Sequence, residues 1–310
     1  MTPKVSIILA AWNAENFLKR SLDSIVGQTF HDFELVLVDD GSTDGTGAIA
    51  DSYASEDSRI KVIHQKHGGL AKARQTGLDA AKGVFSIFAD ADDSLEPDMV
   101  ELLYNEAVRT SSDIVFCDYI EENRQGIFHR RQQPAGRCSR AVLSQMWEYM
   151  HGSLCTKLIR RSLYEEFGVR FVPGISFCDD ECVVIPILFH DVAVSYVGKG
   201  LYHYDKNANL CSDSNVWRNR KTAEYQAYLD RIEPYFKDAG LERKFLDRVA
   251  FIINRLTYAP KDNYADNRLF YQRYCQALKG SSLTFSKKLF CILYFNGFRF
   301  LAGIRELFIK

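Results

Sequence analysis

The sequence lacks both of the glycine-rich patterns with which nucleotide-binding α/β proteins usually hold phosphate. Neither Gly-x-Gly-x-x-Gly nor Gly-x-x-x-x-Gly-Lys-Ser/Thr occurs in it, and the first apolar run leads instead into Ala10-Ala11-Trp12-Asn13. Residues 41–47 are rich in glycine, but they follow the second apolar run with the wrong spacing. We interpret them as a tight turn into a helix capped by Ser42, Thr43 or Asp44. A dinucleotide dehydrogenase and a P-loop enzyme are therefore both disfavoured.

Other features that are absent from the sequence exclude further classes of protein. No run of about 18 or more apolar residues is present, so we expect no membrane span. The net charge of -1 argues against a nucleic-acid partner. The eight cysteines include no Cys-x-x-Cys pair, and Cys178 and Cys182 with His203 fit no common zinc spacing. From the opening residues Met1-Thr2-Pro3-Lys4 we expect no secretory signal. These features favour a cytoplasmic protein with reduced thiols.

Short apolar runs and amphipathic segments alternate over the first 120 residues. This order predicts an open, mostly parallel sheet with helices on both faces. The predicted strands are Val5–Ala10, Glu34–Val38, Ile60–His64, Val84–Ala89 and Ile114–Tyr119. Ligands of such sheets bind outside the carboxyl ends of the strands. Three polar turns fall there: Ala11-Trp12-Asn13, Asp39-Asp40-Gly41 and Asp90-Ala91-Asp92.

The turn after the fourth predicted strand carries three carboxylates, Asp90, Asp92 and Asp93. Like charges this close repel each other unless a cation neutralises them. An Asp-x-Asp at the end of a buried strand suits a hard divalent ion that completes its shell with water and substrate phosphates. Alternatively, Asp93 or Ser94 caps the next helix before Pro97. The run thus predicts either a metal-assisted diphosphate site or a helix cap.

The remainder of the chain is less regular. Residues 123–139 are polar and arginine-rich and predict a loop or irregular hairpin, and helices are expected at 139–151, 183–189 and 217–278. Residues 285–310 form a basic, aromatic-rich amphipathic segment. Such a segment is typical of a helix lying on a membrane surface, and it is equally compatible with a C-terminal helix docked on the body.

Four motifs over residues 4–120 together resemble the large inverting glycosyltransferases of family 2, which have a nucleotide-sugar-binding GT-A fold. They are Val5–Glu15, Val38–Thr46, Gly69–Gly77 and Asp90–Asp93. A weaker continuation reaches residue 215 through Cys155–Leu158, Asp179-Asp180 and Tyr202–Tyr204. The resemblance implies a nucleotide sugar, preferably a UDP-sugar, as the donor and one Mg²⁺ or Mn²⁺ ion.

The resemblance also implies roles for residues around the nucleotide. Trp12 stands where the family usually has Tyr, and its ring would stack on uracil, unless it is a core aromatic. Asp40 would accept the N–H of the base, or cap the turn, while Asp39 supports the backbone or the ribose. Arg74, with Lys72 close by in sequence, would lie beside the nucleotide, or be a solvated helical charge.

The sugar, the diphosphate and the metal ion are assigned in the same way. Asp90 is expected to contact the ribose or the sugar, and Asp92 to bind the metal ion directly. Ala10, at the end of the first strand, completes the predicted nucleotide-binding set. The family often has an arginine after Tyr-x-Tyr that is missing here, so a late diphosphate contact would fall to Lys206 or His203.

An inverting transfer needs a base that takes the proton of the acceptor hydroxyl. Asp179-Asp180 occupies the position of the family's Glu-Asp motif, whose second acid is the base, so Asp180 is the predicted catalytic residue. The first acid is Asp here, which leaves the role of Asp179 open, and Glu181 is a competitor. Burial and a partner such as Lys157 would tune the pKa of Asp180.

These inferences combine into one hypothesis. The chain is expected to have an α/β GT-A fold, with a catalytic domain at 1–215 (nucleotide-binding half 1–120, acceptor-binding half 121–215) and a helical extension at 216–310. It would transfer a hexosyl or N-acetylhexosaminyl group to a glycan or lipid-linked acceptor in polysaccharide biosynthesis. It would act in the cytoplasm, with the membrane surface contacted through 285–310. The alternative is a catalytically silent nucleotide-sugar-binding or scaffolding subunit.

Overall fold

The computed structural model describes residues 2–148, 150–207, 222–259 and 263–298. The chain divides into two compact units, Met1–Ser212 and Asp213–Lys310. The division after residue 212 and the predicted boundary after residue 215 both lie outside the described residues. The functional assignment of the two halves of the catalytic domain stays a prediction.

The described part of the first unit contains a nine-stranded sheet with helices packed around it. The strands are β1 Val5–Ala11, β2 Phe33–Asp39, β3 Ile60–His64, β4 Phe85–Asp90, β5 Ser94–Leu95, β6 Ile114–Asn123, β7 Gly126–Arg130, β8 Lys157–Arg160 and β9 Val194–Asp205. The helices are α1 Leu18–Val26, α2 Thr46–Glu56, α3 Leu70–Ala80, α4 Met99–Thr110, α5 Ser139–Gln145, α6 Ser162–Glu166 and α7 Glu181–Phe189. The sheet and helices confirm the predicted α/β class, and all five predicted strands are present.

The strand order is β3-β2-β1-β4-β8-β6-β9-β5, with β7 paired to β6. Strands β3, β2, β1 and β4 are parallel, β8 is antiparallel to both of its neighbours, and β6 and β9 are again parallel. The central strands are buried on both faces, which explains their nearly continuous apolar sequence. The result is a mixed, mostly parallel sheet, as predicted.

The register of the parallel strands brings the three polar turns to one edge of the sheet. Ala10 lies opposite Val38 of β2 and Asp90 of β4, and Ala11 lies opposite Asp39. Helix α3 packs closely on β1, because a Cβ atom on Gly77 would lie 2.5 Å from Cγ2 of Ile8. This close approach fixes the height of α3 and of its buried residue Arg74 above the sheet.

Two local predictions are corrected by the structure. The helix expected at 139–151 ends at Gln145, because Trp147 adopts a positive φ of 67° and its indole donates a hydrogen bond to Glu181, which turns the chain towards α7. The helix after the acidic run is not capped by Asp93 or Ser94. It begins at Met99, and Ser94 belongs to the short strand β5.

The described part of the second unit is helical, with α8 Thr222–Asp238, α9 Glu242–Leu256, α10 Tyr264–Gly280 and α11 Phe285–Phe295. Its core includes the buried aromatic residues Tyr225, Tyr228 and Phe236 of α8. The apolar face of α11 is also buried, and Tyr294 and Phe295 pack against the rings of Tyr264 and Tyr271 of α10. Residues 285–295 therefore follow the second alternative considered from the sequence, a helix docked on other helices. Residues 299–310 of the segment predicted to contact a membrane lie outside the described residues. None of the described helices is long and apolar enough to span a membrane.

Candidate functional site

The carboxyl ends of β1, β2 and β4 form a rim whose loops are tied to one another. Asn13 adopts a positive φ of 49°, a conformation that asparagine tolerates better than most residues. Its backbone N–H donates to Oγ of Ser42, and its side-chain carbonyl accepts from the N–H of Thr43 at 2.9 Å. Asp39 accepts from the N–H of Ser42 at 3.0 Å. The loop after β2 is therefore held by the turn that follows β1. Asp39 supports the backbone of the loop after β2, which is one of the two roles considered for it from the sequence.

Arg74 is the centre of the site. Its guanidinium is almost completely buried and donates from Nη2 to Asp90 at 2.7 Å and from Nη1 to Asp179 at 2.8 Å and Asp180 at 2.7 Å. The solvated helical charge considered from sequence is thus wrong. A planar fork of donors suits several carboxylates at once. Arg74 joins the end of β4 to the beginning of α7, two segments 90 residues apart in sequence.

The two acids after Cys178 are placed by a strained turn. Cys178 has a positive φ of 53°, which is uncommon for a residue other than glycine, asparagine or aspartate. Asp179 follows buried, and Asp180 stands at the N-cap of α7 with 18% of its side chain exposed. The carboxylate of Glu181 instead accepts a hydrogen bond from the Trp147 indole at 2.9 Å. Of the two candidates for the base, Asp180 is the one beside Arg74.

The carboxyl group of Asp180 is partly protonated at neutral pH because of its surroundings. Burial raises the pKa of Asp180 to about 7, because the attraction of Arg74 only partly offsets the loss of solvation and the repulsion of Asp179 and Asp90. Burial also raises the pKa of Asp179. A carboxyl group whose pKa lies near the working pH is suited to general acid–base catalysis.

Lys157 is a buried residue whose positive charge acts on Asp180. Its ammonium group donates to the backbone carbonyls of His151, at 2.8 Å, and Ser153, and it lies over the ring of Phe116. Burial lowers the pKa of Lys157 to about 8, although the charge of Asp180 acts in the opposite direction. Lys157 therefore clamps the segment from 151 to 156 and adds positive charge near Asp180, as predicted from sequence.

Asp90 and Asp93 are organised by Tyr202. The Tyr202 hydroxyl donates to Oδ2 of Asp93 at 2.7 Å and accepts from the backbone N–H of Asp90 at 3.1 Å. The other oxygen of Asp93 accepts from the N–H of Asp205 at 3.1 Å. Burial and the neighbouring carboxylates hold the pKa of Asp93 well above its ordinary value. Asp93 thus joins β9 to the acidic turn rather than capping a helix.

Asp92 is the half-buried acid between them. Its backbone carbonyl is held by the guanidinium of Arg20, which also pairs with Asp205 at 2.9 Å. Among the described residues, no three or more His, Cys, Asp or Glu side chains converge as a complete metal cage. A hard ion that takes one or two protein carboxylates and draws its other ligands from water and phosphate fits this donor set. Of the three acids of this turn, Asp90 is bound to Arg74 and Asp93 to Tyr202, and Asp92 is the one that the sequence assigned to the metal ion.

Trp12 lies at the rim and not in the core, with 53% of its surface exposed. One face of its indole stacks on the ring of His67, with centroids 4.5 Å apart. His67 in turn approaches Oδ2 of Asp40 with Nδ1 at 2.9 Å. The buried Asp40 carboxylate also accepts from Gln65 and from the N–H groups of Gly68 and Gly69. All acceptor sites of the Asp40 carboxylate are thus used by donors of the 65–69 loop. Asp40 therefore stabilises the turn, which is the alternative role considered for it from the sequence.

The other predicted residues are more peripheral. Lys72 is exposed on α3, and its aliphatic stem lies against Gly68. Ala10 is half-buried beside Asp90. His203 contacts Glu96 at 2.6 Å, and Lys206 pairs with Glu121 at 3.1 Å, so both candidates for the late diphosphate contact have acidic partners.

Two residues of this site, Arg20 and His67, carried no signal in the sequence, and two others, Cys155 and Tyr202, belong to motifs but were given no role. Cys155 lies 3.5 Å from Oδ2 of Asp90, and burial holds the pKa of its thiol well above its ordinary value, so it is an unreactive neighbour. Tyr202 belongs to the motif Tyr202–Tyr204, but the pairing of β5 with β9 is what places it beside the acidic turn.

Comparison with known proteins agrees with this geometry. The sequence profile of "Glycosyl transferase family 2" matches residues 6–168. The chain is 30% identical over 298 residues to a cholesterol galactosyltransferase of Borreliella burgdorferi, covering 89% of this chain and 81% of that one. It is 35% identical over 223 residues to the uncharacterized glycosyltransferase EpsJ of Bacillus subtilis, covering 69% of this chain and 64% of EpsJ.

Solved structures show the same fold. TarS 1-349 of S. aureus in complex with UDP-GlcNAc superimposes with a TM-score of 0.71 at 18% identity, over 96% of this chain and 91% of that chain. The mannosyltransferase PcManGT of Pyrobaculum calidifontis, in complex with GDP-Man and Mn²⁺, gives 0.55 at 17% identity, over 100% of this chain and 86% of that chain. From its motifs, its sheet and these matches, the chain belongs to glycosyl transferase family 2 and has a GT-A fold.

Proposed function

We propose that the protein is an inverting, metal-dependent glycosyltransferase in which Asp180 is the catalytic base. The observation that carries this proposal is the placement of Asp180. It is a partly exposed carboxyl group at the start of α7, its pKa is raised to about 7 by burial, and Arg74 holds it against the end of β4. A partly exposed carboxyl group next to the rim where a nucleotide sugar would lie supports a role as proton acceptor.

In the proposed reaction, Asp180 takes the proton from an acceptor hydroxyl as its oxygen attacks the anomeric carbon. The attack comes from the face opposite the diphosphate, the bond to the leaving oxygen breaks, and the configuration is inverted. No covalent enzyme intermediate is needed. When Asp180 becomes neutral, Arg74 keeps its ion pairs with Asp90 and Asp179, so the guanidinium is not left buried without a partner.

The leaving group requires separate stabilisation. Asp92 would hold one Mg²⁺ or Mn²⁺ ion, and that ion would neutralise the charge that develops on the departing nucleoside diphosphate. Arg20 supports this function by fixing the backbone of Asp92 from α1. The Mn²⁺ in the PcManGT complex is consistent with a divalent ion in this fold.

The donor is proposed to be a UDP-sugar whose base stacks on the exposed face of Trp12, with hexose or N-acetylhexosamine as the transferred sugar. The UDP-GlcNAc bound to TarS is consistent with such a donor. The acceptor is proposed to be a glycan or lipid-linked saccharide in polysaccharide biosynthesis, reached in the cytoplasm at the inner face of the membrane. Lys72, Ala10 and Asp90 would complete the donor site.

Calorimetry with UDP, GDP, CDP and dTDP, each with Mn²⁺, Mg²⁺ or a chelator, tests this proposal. We expect UDP to bind best, to need the metal ion, and to lose about tenfold or more in affinity in Asp92→Ala, since that ion links protein and diphosphate. Asp79→Asn is the matched control, because Asp79 is an exposed acid on α3. Metal-independent binding, or binding of no nucleotide, would contradict the proposal and favour a scaffolding subunit.

A further inference from the structure

A cleft of about 870 Å³ opens beside the β6–β7 hairpin, within the first unit. Its walls come from β6, β7 and the segment from 131 to 135. The lining side chains used below are Tyr119, Glu121, Arg130, Arg131, Gln132 and Glu148. The volume is within the range of about 300 to 1,000 Å³ that is typical of small-molecule sites. None of these side chains belongs to the donor site described above.

The cleft is linked to the catalytic site by contacts of two lining residues, Gln132 and Tyr119, with the segment 151–157. The side-chain carbonyl of Gln132 accepts from the backbone N–H of His151 at 2.6 Å, and the ring of His151 lies 5.9 Å from that of Tyr119. The backbone carbonyl of His151 accepts in turn from Lys157, whose charge acts on Asp180. The segment 151–157 therefore connects the lining of the cleft to the surroundings of the proposed base.

Two of the polar groups of the cleft, at Glu121 and Gln132, are fixed before any ligand binds. Glu121 is buried, and its carboxylate is held by Arg130 at 3.1 Å and Lys206 at 3.1 Å. The backbone N–H of Gln132 donates to the buried Asp118 at 2.6 Å. Fixed donors and acceptors lose little entropy when they bind a ligand.

The charge and shape of the lining indicate the class of ligand. Two arginines, Arg130 and Arg131, and two acids, Glu121 and Glu148, line the cleft, so their formal charges balance and do not favour a strongly charged ligand. Hydroxyl groups both donate and accept hydrogen bonds, and they match carboxylates and guanidiniums together. The half-buried ring of Tyr119 adds an apolar surface among these polar groups.

We infer that this cleft binds the acceptor as a neutral, hydroxyl-rich saccharide, with one sugar ring against Tyr119 and its hydroxyls on Glu121 and Arg131. This inference rests on the proposed function, since it assigns the second substrate of the same reaction. The sugar next to the reacting hydroxyl would lie along the 151–157 segment, and the rest of the saccharide would extend towards the β6–β7 hairpin.

Saturation-transfer NMR and calorimetry on the full chain, with UDP and Mn²⁺ present, test the inference. The probes are neutral methyl glycosides and disaccharides of glucose, galactose, mannose and N-acetylglucosamine, with glucuronic acid and glucose 6-phosphate as charged comparisons. We expect a neutral saccharide to bind and to lose about tenfold or more in affinity in Arg131→Ala, the loss typical of one hydrogen bond to a charged group. Tyr119→Ala should also weaken it, while UDP affinity and the slow hydrolysis of the nucleotide sugar by water stay unchanged.

Arg124→Ala is the matched control, because Arg124 is an exposed arginine at the turn of the same hairpin and does not line the cleft. Preferential binding of the charged sugars, or equal loss in Arg124→Ala and Arg131→Ala, would overturn the assignment. Absence of saccharide binding while the nucleotide sugar is still hydrolysed would refute the cleft and leave the proposed function standing. Saccharide binding without any nucleotide binding would refute the proposed function and leave the cleft as a carbohydrate site.

Discussion

Replacing Asp180 by Asn removes the proposed base and keeps its shape, so it separates the chemistry from the fold. General base catalysis contributes about 10² to 10⁴ in rate, and we expect transfer by Asp180→Asn to fall by that amount. Donor binding should stay within about twofold, because Asp180 lies beside the rim and is not among the residues assigned to the nucleotide. The assay is release of nucleoside diphosphate from the nucleotide sugar, with calorimetry of UDP binding on the same preparations.

The pH dependence of the wild type follows from the same group. A base must be deprotonated to act, and the pKa of Asp180 is raised to about 7. We therefore expect kcat/KM to fall tenfold for each pH unit below about 7 and to level off above it. Asp180→Asn should lose this dependence. A wild-type profile that stays flat between pH 8 and pH 5.5, or a variant with more than a tenth of the wild-type rate, would refute Asp180 as the base.

The stability of Asp180→Asn should change in the opposite direction to its activity. The folded-state pKa of about 7 lies above the ordinary value of 3.8, so folding favours the protonated form. The stabilisation from proton binding is fully present below about pH 4 and is lost as the pH rises through 7. At 1.36 kcal/mol per tenfold change in proton affinity, this amounts to about 4 kcal/mol.

An amide imitates the neutral carboxyl at every pH. The stability of Asp180→Asn relative to the wild type should therefore rise as the pH goes from 5 to 8. At pH 8 its free energy of unfolding should exceed that of the wild type by up to about 4 kcal/mol, as measured by urea denaturation. Asp79→Asn, on the exposed part of α3, should show no such gain. A variant that is less stable at pH 8 than at pH 5, relative to the wild type, would show that the ionised carboxylate stabilises the fold.

Two further substitutions test the rest of the site. Arg74→Met leaves Asp90, Asp179 and Asp180 without their shared cation, so we expect a loss of about 3 to 5 kcal/mol in unfolding free energy at pH 8. Urea denaturation should show a smaller loss at pH 5, where Asp180 is protonated, and an equal loss at both pH values would contradict the ion-pair account. His67→Ala frees one acceptor site on the saturated Asp40 carboxylate, so UDP should bind about two- to tenfold more tightly in calorimetry if Asp40 reads the base. The exposed His31 supplies the control His31→Ala, and weaker UDP binding in His67→Ala alone would instead make the Trp12–His67 pair a platform for the base.

Local patterns in the sequence were sufficient for the architecture. Apolar runs bounded by polar turns located the strands of the parallel half of the sheet, because a strand buried on both faces has to be apolar along its length. The same reasoning predicted that the turns after β1, β2 and β4 meet at one edge, and the observed register of Ala10 with Asp90 confirms it. Three of the four motifs that carry the resemblance include these turns, the fourth begins α3, and the family assignment from them is confirmed.

Tertiary structure decided the state of the charged groups. Arg74 is solvated or buried according to how closely α3 packs on β1, and three carboxylates from two distant segments have to converge on it before any pKa can shift. Asp93 offers the same lesson, since a side chain that resembles a helix cap in sequence is bound by Tyr202 from a strand 109 residues away. Burial and long-range pairing are properties of the folded chain as a whole. A sequence therefore names the acids of this site, and only the fold assigns each one its partner and its proton.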